Sequence, residues 1–291
     1  MSATAKKSTN NTQVIYDMPE EKYHALERLS SSGIKKVLVS AQDFWKTSWM
    51  NEDKEEVEKR AFHEGKAYHK RLLEGKEAFN QTYVIKPKCD RRTKEGKNIY
   101  NEWLERQIED YVEVETDVKK YIDAAIHRIE TKPKLAKYFT GGIAEVTLLW
   151  DDPETNVPMK ARIDYITDEF FVDLKTFSNS QGKNIQHVIT SQIANYKYYV
   201  QAAVYREAIE NVLGKPGMSM CFFFQQTGMV NNAIPLLFDN DLLLAQQGYD
   251  FMRKGIERFA DLYRKYGTSE WFEELEIELT DESFPLYVYD G

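Results

Sequence analysis

The chain contains little cysteine and no long hydrophobic run. Of its 291 residues only Cys89 and Cys221 are cysteines, which is too few for a disulfide framework or a four-cysteine metal centre. No stretch approaches the roughly 18 apolar residues that a membrane span needs, and the first eight residues lack the apolar core of a signal peptide. We therefore expect a soluble protein of the cytoplasm.

Acidic residues outnumber basic residues. The chain has 39 Lys and Arg against 47 Asp and Glu, a net charge of −8, which argues against a general nucleic-acid coat. An acidic enzyme can still hold DNA in a local basic groove, particularly when metal ions neutralise its carboxylates. The hydrophobic content of 42%, with 13% aromatic residues, excludes a disordered chain and supports a packed core.

The sequence contains no convincing linker and no internal repeat, which predicts one large α/β domain. Residues 1–13 are rich in Thr, Ser, Asn and Lys, and we expect them to form a disordered arm. A single domain is predicted over 14–266, with a helical part at 14–140 and a core at 141–266. The remaining residues, 267–291, form a predicted acidic tail.

Helix signals dominate the first half of the chain, and strand signals begin at residue 143. Ser30 and Ser40 each precede a helical pattern and are predicted N-caps. Three consecutive runs rich in β-branched and aromatic residues predict strands at 143–150, 159–166 and 170–176. The other predicted elements, in chain order, are helices at 54–73, 99–107, 118–139 and 185–204, strands at 218–225 and 233–238, and a final helix over 242–263 capped by Asp239 or Asn240.

The second and third strands form a predicted hairpin with ionisable side chains at regular positions. Because strand side chains alternate between the two faces, Asp173 and Lys175 lie on one face, while Val172 and Leu174 point into the core. The polar face can meet Asp164 across the hairpin, and two carboxylates there suit a hard cation such as Mg²⁺. Lys175 could orient or deprotonate an attacking water, or offset charge on a phosphoryl oxygen. The alternative is an exposed hairpin with alternating charges.

An α/β core with carboxylates on its second and third strands resembles the PD-(D/E)XK nuclease superfamily. Asp164 matches the signature aspartate that ends the second core strand, and Asp173 and Lys175 match the Asp-x-Lys of the third. The resemblance covers roughly residues 28–265. It implies a restriction-endonuclease-like core, with a central mixed β-sheet flanked by helices and with N-terminal helical additions.

Further motifs resemble the RecB-like branch of this superfamily. Glu145 lies on the preceding strand, and Gln201 and Tyr205 on the following helix match the Gln-x-x-x-Tyr element of the branch. Residues 65–69, GKAYH, look like the upstream helix motif of the RecE-type exonucleases in this branch, whose histidine is a metal ligand, and the basic loop at 90–97 also looks similar to theirs. Within the branch the chain is most similar to the RecE-type, exonuclease VIII-like phage exonucleases.

The resemblance implies a metal-dependent active site in which Lys175 positions or activates the nucleophile. Glu145 could join the cation directly or through water, or it could be an edge-strand carboxylate. Without the resemblance, the expected role of His69 would be structural: a histidine on a helix face that forms hydrogen bonds and binds no metal. The expected ligands of one or two Mg²⁺ or Mn²⁺ ions are His69, Asp164, Asp173 and the Leu174 carbonyl.

Gln201 and Tyr205 share a helix face because they are four residues apart. In the family this face packs toward the active site, where the two polar groups could position Lys175 or touch the DNA backbone. The alternative is that this face only packs in the hydrophobic core, as helix faces that contain tyrosine commonly do. Gln192 and Tyr196 repeat the spacing, but the first pair fits the family pattern better.

A basic segment precedes the core strands and could contact DNA phosphates. Charge runs are usually solvated surface, and an arginine beside the signature aspartate could instead pair with a neighbouring carboxylate. The candidate phosphate contacts are Lys86, Lys88, Arg91, Arg92, Lys94, Lys97 and, near Asp164, Arg162.

The likeness to RecE-type enzymes implies digestion of linear duplex DNA from the 5′ end, which leaves 3′ overhangs for recombination by single-strand annealing. It also implies a ring-shaped homo-oligomer, commonly a tetramer, and a RecT-type annealing partner that the acidic tail could dock. For a phage protein it implies the cytoplasm of the bacterial host.

An endonuclease on the same core and a non-catalytic DNA-binding module are the alternatives. Two cysteines exclude a related nuclease with an iron–sulfur cluster, and a purely helical interaction protein does not explain the carboxylate hairpin.

Overall fold

The computed structural model describes residues 12–54, 60–105, 111–274 and 280. Its first half is built from helices, with three short strands. In chain order these elements are β1 (Gln13–Ile15), α1 (Glu20–Ala25), α2 (Ser31–Val39), α3 (Ala41–Thr47), α4 (Arg60–His69), a π-helical turn (Lys70–Glu74), α5 (Gly75–Thr82), β2 (Tyr83–Lys86), α6 (Lys94–Glu105), β3 (Val112–Glu115), α7 (Thr116–Thr131) and α8 (Pro133–Ala136).

The second half builds a six-stranded sheet. Its elements are β4 (Ile143–Asp151), β5 (Pro158–Ile166), β6 (Phe170–Phe177), α9 (Ile185–Asn195), α10 (Tyr198–Leu213), β7 (Ser219–Gln226), β8 (Ala233–Phe238) and α11 (Leu243–Tyr266). The strand order is β1-β4-β5-β6-β7-β8, and neighbours are antiparallel except β6 and β7. Because parallel strands need a crossover, α9 and α10 connect β6 to β7. The predicted α/β fold with a central mixed sheet is confirmed.

Helices cover both faces of the sheet. Phe222 and Phe224 of β7 pack in the core that includes α2, α3, α9, α10 and α11. Phe223, Val172 and Leu174 face the opposite core with α7 and the segment that follows it. Val172 and Leu174 therefore point into the core as predicted, and each fully buried side chain of this size stabilises the fold by about 1.5–3 kcal/mol.

A smaller core lies beside the central sheet. It joins α4, α5 and α7 to the two-stranded parallel sheet of β2 and β3, and Tyr68, Phe79 and Ile122 are buried in it. Since α4 also contacts β6, this helix is fixed between the small sheet and the central sheet.

The predicted helix ends are partly correct. The Ser30 and Ser40 hydroxyls cap α2 and α3, accepting hydrogen bonds from backbone N–H groups at 3.3 and 3.1 Å. The predicted cap of α11 by Asp239 or Asn240 is wrong, because Leu242 occupies the N-cap without a side-chain hydrogen bond. The Asp239 carboxylate instead accepts a hydrogen bond from the backbone N–H two residues later, inside the preceding turn.

Other differences arise where tertiary contacts or very short elements decide the structure. The predicted helix at 185–204 is two helices, because Lys197 between them adopts a left-handed conformation with φ 50°. Strands β1, β2 and β3 were not predicted, and each has only three or four residues. Of the helix predicted at 54–73, residues 55–59 lie outside the described ranges.

The predicted division of the chain stays a prediction, because residues 1–11 of the arm and most of the tail lie outside the described ranges. Gln13 already begins β1. Trp271, in the predicted tail, is fully buried, with ring centroids 5.2 Å from Phe44 and 5.5 Å from Phe259. No helix within the described ranges combines the length and apolar character of a membrane span.

A buried ion-pair group ties α11 to the turn between β4 and β5. Asp152 is fully buried and accepts hydrogen bonds from the Thr155 backbone N–H and hydroxyl at 2.8 and 2.7 Å. Arg253 donates to both Asp152 oxygens, and it lies 3.2 Å from Glu154 and 3.6 Å from Glu207. One guanidinium therefore compensates three carboxylates.

We predict that Arg253→Met lowers the free energy of unfolding by about 3–5 kcal/mol, because it leaves buried carboxylates without a counter-charge. Urea denaturation measures this loss. The matched control is Arg264→Met on the same helix, where the exposed pair with Asp261 at 2.9 Å is worth about 0–1 kcal/mol. Equal losses in the two variants would contradict the role assigned to Arg253.

Candidate active site

Helix α4 approaches β6 closely at Gly65. A Cβ at this position would lie 2.9 Å from Thr176 Oγ1, so a larger residue would push the helix away from the strand. One turn later, His69 Nδ1 lies 3.0 Å from the Gly65 carbonyl oxygen, and Nε2 lies 2.9 Å from the Leu174 carbonyl oxygen. The Nδ1 contact fixes the ring so that Nε2 faces the sheet.

Strands β5 and β6 separate close to their connecting turn. Their ladder ends at the pair Tyr165 and Val172. Beyond this pair the Asp164 side chain takes the place of a strand partner, because its Oδ2 accepts a hydrogen bond from the Leu174 N–H at 2.6 Å. The Leu174 carbonyl, on the same side of the strand, is met by His69. The strand separation therefore brings two polar side chains to one residue of β6.

Three potential ligand atoms converge at this point. His69 Nε2 lies 2.9 Å from the Leu174 carbonyl oxygen and 3.5 Å from Asp164 Oδ2. Neighbouring ligands of an octahedral cation with bonds of about 2.1 Å are about 3 Å apart. An imidazole, a carboxylate and a carbonyl suit Mg²⁺ or Mn²⁺. The donor types and their spacing thus fit a divalent cation.

Asp173 makes a different set of contacts. Its Oδ2 lies 2.6 Å from Lys175 Nζ but is buried without a hydrogen bond of good geometry. Across the described ranges, no three His, Cys, Asp or Glu side chains converge to hold an ion. The fit therefore rests on His69, Asp164 and a backbone carbonyl, and the role of Asp173 as a ligand stays a prediction.

Gln201 connects the catalytic candidates on β6 to α10. Its Oε1 accepts a hydrogen bond from Lys175 Nζ at 3.0 Å, and its Nε2 donates to Asp173 Oδ1 and to the Tyr205 hydroxyl, both at 2.7 Å. Gln201 and Tyr205 thus share the helix face that packs toward the site. Gln201 touches Lys175 directly, whereas Tyr205 acts on it only through Gln201.

Tyr198 belongs to the same cluster, although the sequence did not identify it as a site residue. Lys175 Nζ lies 4.6 Å from the centroid of its ring, a distance at which an aromatic face attracts a cation. The sequence spacing could have identified Tyr198 as a site residue, because positions 198, 201 and 205 follow the i, i+3, i+7 pattern of one helix face.

Glu145 lies opposite Asp164 in the register of β4 and β5, since its neighbours Ala144 and Val146 pair with the neighbours of Asp164. It forms an ion pair with Arg162, the alternative that the sequence left open for this arginine. Glu145 also has a left-handed φ of 55°, an unfavourable conformation for a non-glycine residue in a strand. The roles of Glu145 in metal binding and of Arg162 in DNA binding stay predictions.

Burial and charge set the protonation of the site. Burial raises the pKa of Asp173 to about 6, although the Lys175 charge opposes the shift. Burial disfavours charged His69, but the Asp164 carboxylate outweighs it and raises the pKa to about 9. Burial also disfavours the charged form of Lys175, but the Asp173 carboxylate outweighs this effect and raises the pKa of the lysine. A cation at His69 would therefore displace a proton from Nε2.

The predicted basic segment is largely paired with nearby carboxylates. Lys86 lies 2.9 Å from Glu113, Lys88 lies 2.9 Å from Asp117, and Arg92 lies 3.0 Å from Asp90. The Arg91 guanidinium stacks over Tyr100 at 4.7 Å, and Lys94 and Lys97 are exposed. Contact of this segment with DNA stays a prediction.

The chain is similar to known proteins in both sequence and fold. Residues 30–263 match the family model described as "PDDEXK-like domain of unknown function (DUF3799)". A solved structure, of a "Putative exonuclease" from Eubacterium rectale, is similar with a TM-score of 0.59 and 15% sequence identity, over 91% of this chain and 97% of that chain, which shows a shared fold. A comparison with curated proteins found no significant match. The family match covers most of the chain and includes Asp164, Asp173 and Lys175, so the chain belongs to the PDDEXK-like family of the PD-(D/E)XK superfamily.

Proposed function

We propose that the protein is a divalent-metal-dependent nuclease that hydrolyses phosphodiester bonds of DNA. The observation that carries the proposal is the convergence of His69 Nε2, Asp164 Oδ2 and the Leu174 carbonyl beside the pair of Lys175 and Asp173. Membership of the PDDEXK-like family supports it, together with the resemblance of Asp164, Asp173 and Lys175 to the superfamily signature in the sequence.

A divalent cation bound at this position would lower the pKa of a water molecule and offset charge on a phosphate oxygen. The Gly65 carbonyl would keep the His69 ring oriented, as a second-shell partner does for a metal-binding histidine. Asp173, Gln201 and the Tyr198 ring all surround Lys175 with groups that favour its ammonium form. Lys175 would therefore orient the attacking water and stabilise phosphoryl oxygens as a charged donor, in preference to acting as a base.

The finer proposal is a RecE-type exonuclease. Such an enzyme would degrade linear duplex DNA from the 5′ end with Mg²⁺, or with Mn²⁺, and leave 3′ overhangs for single-strand annealing. It would act as a homo-oligomeric ring with a RecT-type partner in a phage-infected bacterial cytoplasm. The support for these properties is the order of the sequence motifs from Gly65 to Tyr205, together with family membership.

Digestion of end-labelled DNA tests the proposal. Linear duplex labelled at the 5′ or the 3′ end is compared with closed circular DNA, in Mg²⁺, Mn²⁺ or EDTA. We expect early release of the 5′ label, intact circles and no reaction in EDTA. Cleavage of circles would indicate an endonuclease, and intact DNA with both metals would favour a binding module.

Lys175→Ala and Asp164→Asn are each expected to lower the rate of hydrolysis by at least about 10²- to 10³-fold, the usual loss when one preorganised charge-stabilising group is removed. Initial rates on linear duplex at saturating Mg²⁺ measure the effect. Lys215→Ala is the matched control, because this lysine forms an exposed pair with Asp168 at 2.8 Å. Activity retained in Lys175→Ala would rule out the assigned site.

Gly65→Ala is expected to weaken Mn²⁺ binding by about tenfold, because a shift of α4 by a few tenths of an ångström moves His69 away from its partners. Isothermal titration calorimetry measures the Kd. The double variant Gly65→Ala with Thr176→Ala removes the Oγ1 atom that the new methyl group meets, and should restore binding. A double variant as weak as the single one would refute the steric cause.

Gln201→Leu is expected to lower kcat by about 10- to 100-fold with little change in KM, because Lys175 loses an acceptor that fixes its position. Steady-state kinetics on linear duplex separate the two constants. Tyr205→Phe removes only the hydroxyl beyond Gln201 and serves as the comparison, with a smaller loss. A rise in KM alone would show that Gln201 acts in substrate binding and has no positioning role.

A further inference from the structure

A pair of stacked tyrosines extends outward from Lys175. The Tyr198 ring lies under the Lys175 ammonium and packs against the core, with its centroid 5.8 Å from that of Phe222. The Tyr196 ring stacks on Tyr198 with centroids 5.6 Å apart and an angle of 23° between the planes. Tyr196 is 59% exposed, so much of this outer tyrosine is accessible to a ligand.

The backbone holds Tyr196 in this position. It ends α9, and the next residue, Lys197, adopts the left-handed conformation that separates α9 from α10. Lys35 of α2 donates a hydrogen bond to the Tyr196 carbonyl at 3.1 Å, and its ammonium lies 6.0 Å from the Tyr198 ring centroid. The unfavourable backbone conformation of Lys197 thus lies directly beside Tyr196, and such conformations cluster at active sites and ligand-binding sites.

A polar groove of about 270 Å³ continues from Tyr196 between the β6–α9 connection and α9. Lys183 and His187 line it, and none of its lining residues is acidic, although the whole chain carries a net charge of −8. Gln192 also lines the groove, and its Oε1 is buried without a hydrogen-bond partner. The groove thus offers the Lys183 ammonium, an imidazole and amide groups next to an aromatic ring.

We propose that Tyr196 is a stacking platform for an unpaired base next to the scissile phosphate, and that the groove beyond it holds adjoining nucleotides of the same strand. Aromatic faces bind bases that are free of a pairing partner, while cations and amides follow the backbone. This inference rests on the proposed nuclease function and deepens it. The preferred substrate is a single-stranded or frayed end, with bases drawn out of the duplex before hydrolysis.

Fluorescence anisotropy with a labelled single-stranded oligonucleotide in EDTA tests the platform without hydrolysis. Tyr196→Ala should raise the Kd by about 5- to 150-fold, the range for loss of one base–aromatic stack, and Tyr196→Phe should stay within about twofold of the wild type. Tyr263→Ala is the matched control, because that tyrosine is 45% exposed and stacks on Phe259 at 5.7 Å. It should bind like the wild type.

A second readout reports the stack itself. An oligonucleotide with 2-aminopurine at successive positions from the end should lose fluorescence at one position on binding the wild type and Tyr196→Phe, and regain it with Tyr196→Ala. Equal Kd values and equal quenching in wild type and Tyr196→Ala, or no binding of single strands by the wild type, would overturn the platform.

Hydrolysis assays separate this inference from the proposed function. If the wild type digests linear DNA with Mg²⁺ and Tyr196→Ala binds and digests equally well, the platform is refuted and the nuclease stands. If no DNA is digested but binding of single strands depends on Tyr196, the nuclease is refuted and only base stacking on Tyr196 stands, without a role beside a scissile phosphate.

Discussion

The candidate site depends on the separation of β5 from β6. A buried backbone N–H or C=O without a partner costs about 1–3 kcal/mol, and the separation removes the strand partners of Leu174 on this side. Asp164 accepts from its N–H, and His69 meets its carbonyl. The side chains that complete the hydrogen bonding of the sheet are therefore the same ones that could bind a cation, so the fold itself sets their spacing.

The parallel pairing of β6 with β7 determines the other half of the site. An antiparallel partner could follow a tight turn, but a parallel partner requires a crossover, and here the crossover is α9 and α10. This connection lays α10 across the face of β6 that carries Asp173 and Lys175, which brings Gln201 into contact with both. The break at Lys197 within the crossover also places Tyr196 and Tyr198 side by side.

Local patterns allowed the sequence to predict the hairpin, the serine caps and the shared face of Gln201 and Tyr205, because alternation and helical periodicity depend on neighbouring residues alone. The sequence left open whether Arg162 pairs with a carboxylate or contacts DNA, and it did not predict the break at Lys197, because contacts between distant segments decide both. The close approach of α4 at Gly65 is of the same kind, since it depends on Thr176 more than 100 residues later. The contact of Asp173 with Gln201 likewise requires the three-dimensional crossover.

Charge explains how an acidic protein could still select a nucleic acid. The ion pairs of Lys86, Lys88 and Arg92 are partly or fully exposed, and each is worth about 0–1 kcal/mol, so phosphates could replace their carboxylate partners at little cost. A few such contacts give weak, salt-sensitive affinity without regard to strand pairing. Stacking on Tyr196 depends on an accessible base face and much less on net charge. Recognition that relies on stacking near Lys175 would thus favour an unpaired end over intact duplex, even in a chain with a net charge of −8.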